Sequence, residues 1–278
     1  MSQVLRLFVD AVFVFSVIFI WFMLIYQFVL TVGGFLWRRR LKKEGQGWLH
    51  LQEEDLPSVS VLIPALNEEK VIGRLIEKIQ NFIYPQEKIE MIVINDGSTD
   101  KTGLIAEELA RKDKRIKVLD IPCEESGRGK GAALNRGLKE SGHEVIAVYD
   151  ADNRPEKDSL IKLCWALLRD KRLAAVSGKF RAYNKGKNLL TKLINLESIA
   201  FQWLIQAGRW FFLKVSFLPG TNFVIWKSVL EEVGGWDEEA LTEDSELTFR
   251  VYQKGYFIKF LPTAATWEQE PEQLKAWV

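Results

Sequence analysis

Asp150-Ala151-Asp152 is the stretch of this 278-residue chain whose residue types and spacing are best suited to chemistry. Two carboxylates one residue apart, at the end of the apolar run 145–149, can both offer oxygen to a hard divalent cation. Mg2+ or Mn2+ held this way fills the rest of its shell with water and substrate phosphates. Three further loops carry polar residues at the ends of apolar runs. Ile63-Pro64 leads into Ala65-Leu66-Asn67-Glu68-Glu69, Ile94 into Asn95-Asp96-Gly97-Ser98, and Ile121-Pro122 toward Gly127-Arg128-Gly129-Lys130-Gly131. The glycine-rich stretch lacks P-loop spacing, and Ala132 stands where that loop needs Ser or Thr; Arg128 and Lys130 can still meet a diphosphate before a helix. Late in the chain, the acids of Thr242-Glu243-Asp244 either favour the start of a helix over 245–254 or supply Asp244 as a general base. Each loop taken singly also reads as ordinary turn chemistry. Several loops at one sheet edge point to a site, because ligands of an open parallel sheet bind beyond the C-terminal strand ends.

The elements that would position these loops follow from periodicity. Short apolar runs at 59–64, 89–94, 116–121 and 145–149 read as strands, with a fifth at 173–178. Helical patterns at 68–81, 100–112 and 131–141 separate them; in the first, Asn67 is a candidate N-cap and Val71, Ile72, Leu75, Ile76 and Ile79 share a face. Strands alternating with helices predict an α/β domain, a mostly parallel sheet covered on both faces. Residues 189–218 interleave Leu, Ile, Phe and Trp with polar residues, the pattern of an amphipathic segment that covers the sheet or meets a membrane surface.

Residues 11–37 are apolar without a charge, longer than the roughly 20 residues a spanning helix needs and too long for a cleaved signal. Trp21, Tyr26 and Trp37 suit interfacial or lipid-facing places. Arg38, Arg39, Arg40, Lys42 and Lys43 follow, against Arg6 alone on the other flank, so the rest of the chain is expected in the cytoplasm and the protein in the cell membrane as a single-pass chain. A net charge of +1 gives no footprint for nucleic acid. Cys123 and Cys164 fit no zinc or disulfide framework and are expected buried or half-buried; with only His50 and His143 present, a metal is expected on oxygen ligands. The predicted organisation is an anchor with its basic flank over 1–40, a linker over 41–57 and a globular domain over 58–278.

The ordered elements Pro64-Ala65-Leu66-Asn67-Glu68, Asn95-Asp96-Gly97-Ser98-Thr99-Asp100, Gly129-Lys130-Gly131, Asp150-Ala151-Asp152, Pro219-Gly220-Thr221-Asn222, Gly234-Gly235-Trp236 and Thr242-Glu243-Asp244 resemble family-2 glycosyltransferases, the group of cellulose, chitin, hyaluronan and poly-N-acetylglucosamine synthases. The resemblance implies a GT-A fold, a UDP-sugar donor, inversion and transfer to a saccharide acceptor. It also implies roles. Pro64, Ala65, Glu68, Asp96, Lys130 and Asp150 would bind the nucleotide sugar, and Asp152 the Mg2+ or Mn2+ ion. Gly220, Thr221, Asn222 and Glu243 would border the acceptor, and Asp244 would be the catalytic base. Asn95 departs from the family's frequent Asp-Asp before Gly-Ser. The chain also stops before the Gln-x-x-Arg-Trp motif and the membrane helices of processive synthases, so a missing C-terminal half or partner subunit is expected. Two other readings stand beside this one: transfer to a polyprenyl phosphate or glycolipid, and a non-catalytic nucleotide-sugar-binding module.

Overall fold

A computed structural model of the chain describes residues 3–44 and 47–277; residues 45–46 of the predicted linker, and Val278 at the end of the predicted globular domain, lie outside it. Helix α1 (Gln3–Glu44) is followed by β1 (Val59–Ala65), α2 (Ile72–Gln80), β2 (Ile89–Asp96), α3 (Thr102–Lys112), β3 (Ile116–Ile121), α4 (Lys130–Glu140) and β4 (Val145–Val148). This is the predicted alternation, with β1, β2 and β4 buried on both faces as near-continuous apolar runs. The second half comprises β5 (Arg154–Pro155), α5 (Ser159–Leu168), β6 (Leu173–Ala182), α6 (Leu189–Ile199), a π-helical stretch (Ala200–Gln206), α7 (Ala207–Leu213), β7 (Phe223–Trp226), α8 (Lys227–Glu232), α9 (Glu243–Gln253), β8 (Phe257–Glu268) and α10 (Leu274–Trp277).

Among the described residues the strands form one eight-stranded sheet in the order β3-β2-β1-β4-β7-β6-β8-β5. The pairings β3-β2, β2-β1, β1-β4 and β6-β8 are parallel; β7 runs antiparallel to both β4 and β6, and β5 antiparallel to β8. The sheet is therefore mixed, and the antiparallel strands were not foreseen. Alternation along β1 sends Val59, Val61 and Ile63 to a core shared with α2, α5 and the end of α1, and Leu62 to a core shared with α4, α8 and α9.

Three local expectations are corrected. Asn67 does not cap α2: its backbone is left-handed (φ 58°), and the helix starts at Ile72 after a turn closed by Glu68. Cys123 is exposed, on the irregular loop before α4, whereas Cys164 is buried in α5. Trp37 is not lipid-facing: it is 3 % exposed, packs edge-on against Trp210 and donates Nε1–H to the Phe260 carbonyl at 3.3 Å.

The reason for that last correction is how α1 meets the domain. Its 42 residues extend about 63 Å at 1.5 Å per residue. It is the one helix, among the described residues, long and apolar enough to cross a membrane. Most of its apolar side chains as far as Val29 are exposed, whereas Leu30, Gly33, Gly34, Trp37 and Leu41 are buried. The partner is the predicted amphipathic segment, whose π-helical stretch and α7 lie along α1. Glycine permits the close approach: a Cβ at Gly34 would overlap the Trp203 carbonyl oxygen, and one at Gly208 the Leu30 carbonyl oxygen. Arg209 Nε donates to Tyr26 Oη at 3.1 Å across the same seam. The segment still exposes Leu189, Leu193, Leu196 and Leu213, and part of Phe212, whose ring edge meets Gly33 of α1. Gly208→Val should wedge α7 away from α1 and destabilise the folded chain by about 1–3 kcal/mol, as overpacking does. Thermal unfolding in a neutral detergent would register it; an unchanged midpoint would mean the two helices do not touch at this glycine.

Candidate active site

Reversal of β7 brings its first residues to the same sheet edge as the last residues of β4. Asp150 and Asp152 follow β4, and Gly220, Thr221 and Asn222 precede β7. The two loops are tied: Asp150 N–H donates to Thr221 Oγ1 at 3.0 Å, Asn222 N–H donates to the Val148 carbonyl at 2.8 Å, and Thr221 Oγ1 donates to Asn153 Oδ1 at 2.9 Å. Lys130, the first residue of α4, joins them. Its Nζ lies 2.5 Å from Asp150 Oδ1 and donates to the Gly220 carbonyl at 2.9 Å. Gly129 (φ 94°) and Gly220 (φ 72°) both hold left-handed backbones that favour glycine, and these turns aim the ammonium and the carbonyl at each other.

A cavity of about 490 Å3 opens at this edge, lined by Pro64, Ala65, Glu68, Asp96, Lys130, Asp150 and Asp152, with Leu66, Gly127, Gly129, Ala133 and Ala151 completing the wall. Every residue assigned from sequence to the nucleotide sugar or the metal thus faces one space. Arg128 is exposed and does not line it. The loops after β1 and β2 are joined by side chains: Asn67 N–H donates to Ser98 Oγ (2.9 Å), Thr99 N–H to Asn67 Oδ1 (2.9 Å), Glu68 N–H to Thr102 Oγ1 (2.7 Å) and Glu69 N–H to Asp100 Oδ2 (3.1 Å). Asn95 turns its amide away from the cavity and donates to Asp120 Oδ1 at 2.7 Å, which an aspartate there could not do when ionised.

Asp244 is the second residue of α9 and reaches the same place from the far side. Its Oδ2 lies 3.2 Å from where a Cβ of Gly220 would stand, and Lys130 Nζ is 3.5 Å from that point. Glu243 is near enough to Asp150 to raise its pKa. Thr221 and Asn222 are 5 % and 1 % exposed; Asn222 Nδ2 donates to the carbonyls of Lys179 and Ala264. Their side chains hold the loop, and the exposed edge of the site falls to Asp244 and Glu243.

Negative charge is concentrated here. Burial, then Asp152, Asp100 and Asp150, raise the Glu68 carboxyl. Burial raises Asp150 as well, helped by Asp152 and Glu243 and opposed by Lys130. Burial, Glu270, Asp152 and Asp150 push Glu268, the last residue of β8, up to about 8. Sequence reasoning missed Asn153, Glu268 and Glu270; nothing in their local pattern marks them, because only the pairing of β8 beside β6 brings the two glutamates to this edge. Such a cluster suits a divalent cation, and Asp152 Oδ1, which accepts an Asn153 Nδ2–H bond at 3.2 Å, is oriented at its rim. Among the described residues no three His, Cys, Asp or Glu side chains form a complete ligand set, so a cation here would need oxygens from a bound phosphate.

The glycosyl transferase family 2 model matches residues 60–234 of this chain. The probable glycosyltransferase YdaM of Bacillus subtilis is 47% identical over 268 residues, 96% of this chain and 64% of that protein. A beta-monoglucosyldiacylglycerol synthase of a Nostoc species is 35% identical, covering 83% of this chain and 47% of the synthase. A poly-beta-1,6-N-acetyl-D-glucosamine synthase of Staphylococcus epidermidis is 29% identical, covering 80% and 52%. The chain thus spans between about half and two thirds of the length of these relatives. Among solved structures, a mannosyltransferase of Pyrobaculum calidifontis in complex with GDP-Man and Mn2+ superposes with a TM-score of 0.66 at 22% identity, covering 90% of this chain and 70% of that one. The fold is therefore of the GT-A type, and the chain belongs to glycosyl transferase family 2.

Proposed function

We propose that this chain transfers a sugar from a UDP-sugar to an acceptor hydroxyl with inversion, assisted by Mg2+ or Mn2+. The observation that carries the reading is the convergence of Asp150, Lys130, Gly220 and Asp244 around one opening, with Asp152 on the adjoining cavity wall. The nucleotide lies in the cavity, its base against Asp96 and its ribose and diphosphate along Pro64, Ala65, Glu68 and Asp150. Asp152 would hold the cation, which would supply positive charge to offset that of the departing diphosphate. The Lys130 ammonium orients Asp150 and approaches the same phosphates. On the open side the acceptor hydroxyl meets Asp244, which takes its proton as the oxygen attacks the anomeric carbon; attack opposite the leaving group converts an α-donor into a β-linkage. With the acidic cluster on one side and a diphosphate on the other, charge repulsion makes donor affinity depend on the cation.

The exposed length of α1 spans the membrane once, with the domain on the cytoplasmic side, as the excess of Arg and Lys after residue 37 directs. The acceptor is a growing saccharide. A membrane glycolipid or polyprenyl phosphate is the second reading, favoured by the apolar side chains that α6 and α7 expose beside α1. Offering radiolabelled donor with an oligosaccharide or with a lipid acceptor separates the two.

Asp244→Asn should lower sugar transfer by about 10²–10⁴-fold while UDP still binds. Calorimetry beside a UDP-release assay checks both halves; transfer at the parent rate would remove Asp244 from the base role, and transfer-inactive parent protein that still binds UDP would favour a binding module. Asp152→Asn should weaken metal-dependent UDP binding by more than the roughly 10–100-fold seen when a metal ligand's outer partner is lost. Affinity in EDTA should then be the same for parent and variant. If chelation left the parent's affinity untouched, the metal role of Asp152 would have to be abandoned.

A further inference from the structure

A cavity of about 840 Å3, larger than the one over the aspartates, lies beside them in a cleft where α2 packs over β5. It is lined by Arg74, Glu77 and Lys78 from α2, by Arg154 from β5, and by Tyr183 just past β6 and Trp267 near the end of β8. Arg154 stands two residues after Asp152, and Trp267 immediately precedes Glu268, whose carboxyl feels the charges of Asp150 and Asp152. The cleft therefore adjoins the acidic edge, but on the face of the sheet that α2 covers; α9, which carries Asp244, packs on the other face. Neither guanidinium has an ion-pair or hydrogen-bond partner among the described residues. Only Nε of each is enclosed, so their terminal nitrogens stay open to the cleft's solvent. Arg154 Cζ lies 3.7 Å from the centre of the Tyr183 ring, a contact that holds the guanidinium in place. The nearby carboxylates are engaged elsewhere: Glu156 accepts from Trp267 Nε1 at 3.1 Å and lies 3.4 Å from Arg181, and Asp158 is 2.6 Å from Lys162. Arg181 and Lys185, 5.2 and 6.0 Å from the centre of the Trp267 ring, belong to a neighbouring cavity that Trp267 also lines, so this ring is the partition between the two.

Open guanidinium groups match the planar, two-oxygen geometry of a carboxylate. Aromatic side chains offer surface to the apolar face of a pyranose ring, and the exposed Glu77 carboxylate accepts from hydroxyls. A ligand made of several phosphates fits less well, because its charge would meet Glu77, Glu156 and Asp158 in the same cavity. A sugar chain with a carboxylate on some of its rings instead presents hydroxyls to the acids and carboxylates to the arginines, and the volume is within the range of cavities that hold small ligands. We propose that this cleft is a second saccharide site, binding an acidic oligosaccharide with uronate carboxylates on Arg74 and Arg154 and a pyranose ring against Trp267. The inference rests on reading the acceptor as a saccharide, and adds to it a site that holds the chain beside the reaction centre without touching the reacting atoms.

The test uses the full chain in neutral maltoside micelles, titrated by calorimetry with four probes: an oligosaccharide of alternating glucuronate and N-acetylglucosamine, an oligogalacturonate, a neutral chito-oligosaccharide of the same length, and tripolyphosphate. At least one acidic oligosaccharide should bind saturably, and about tenfold or more tightly than the neutral chain or tripolyphosphate. Arg74→Gln and Arg154→Gln should each weaken that binding about tenfold, the loss of one charge-assisted hydrogen bond. Arg74 is on a helix surface, so its variant decides the matter if Arg154→Gln does not fold. Lys185→Gln, across the Trp267 ring, should leave the affinity parental. Failure of both acidic oligosaccharides to bind would overturn the proposal, as would unchanged affinity in Arg74→Gln. Tripolyphosphate binding as tightly would make this a site for phosphate polyanions, and equal binding of the neutral chain would remove the arginines from recognition; either result sinks the proposal too. UDP binding, measured on the same samples, should be parental in all three variants. Saccharide binding that depends on Arg74 in a chain that transfers no sugar counts against the proposed function alone; transfer by a chain whose Arg74→Gln variant binds acidic oligosaccharide at parental affinity counts against this site alone.

Discussion

The Lys130 ammonium, between the Asp150 carboxylate and the Gly220 carbonyl, is the contact on which the geometry of the site turns. Both partners of the ion pair are about one-third exposed, and such pairs add little net stability, typically about 0–1 kcal/mol. Its consequence is positional. One end belongs to the parallel half of the sheet, through β4 and the start of α4; the other belongs to the loop that enters the reversed strand β7. If β7 ran parallel to β4, Gly220 would open at the opposite edge and the two groups could not meet. The reversed strand and the lysine together bring the loop after β4 and the loop before β7 to one cleft although 70 residues of chain separate Asp150 from Gly220.

The first half of this arrangement was legible in the sequence. Strands buried on both faces show as unbroken apolar runs, and α2 shows Ile72, Leu75, Ile76 and Ile79 at helical spacing because one stripe of it is buried. Given parallel strands, the polar loops at their ends had to share an edge, which is why Pro64, Ala65, Glu68, Asp96 and Asp150 line one cavity. The second half was not legible. Strand β7 has four residues and β5 two, too short for a period, and β8 contains Pro262 and pairs with β6 through shifts in register. Their places are set by pairings distant in sequence. Glu268 and Glu270, which share the field of Asp152, stood outside the sequence reading for the same reason.

The features of α1 show a different limit. Length and composition mark α1 as apolar, but they do not mark which of its faces meets protein. Gly33 and Gly34 look merely tolerable in a spanning helix; in the fold they are where Phe212 and the Trp203 carbonyl come closest. Trp37 has the composition of an interfacial anchor and the environment of a core residue, packed between Trp210 and the Phe260 carbonyl. In each case the partner is a stretch some 170 to 220 residues later in the chain. Docking at these glycines fixes the end of α1 to the domain, so the axis of α1 and the orientation of the sheet are coupled.

A net charge of +1 conceals how that sheet is polarised. Its C-terminal edge gathers Glu68, Asp150, Asp152, Glu243, Glu268 and Glu270 around Lys130, with Arg181 and Lys185 against the Trp267 ring at its border. Its opposite edge brings Arg40, Arg169, Arg172, Lys214 and Lys259 together beside Asp170. Fields of this kind act over distances set by screening, about 8 Å at physiological ionic strength, so each edge acts on what lies within a few residues of it. An anion approaching the acidic edge meets a repulsion that a cation held there would balance. The two edges therefore present different fields to whatever approaches them, a difference that the near-zero net charge does not reveal.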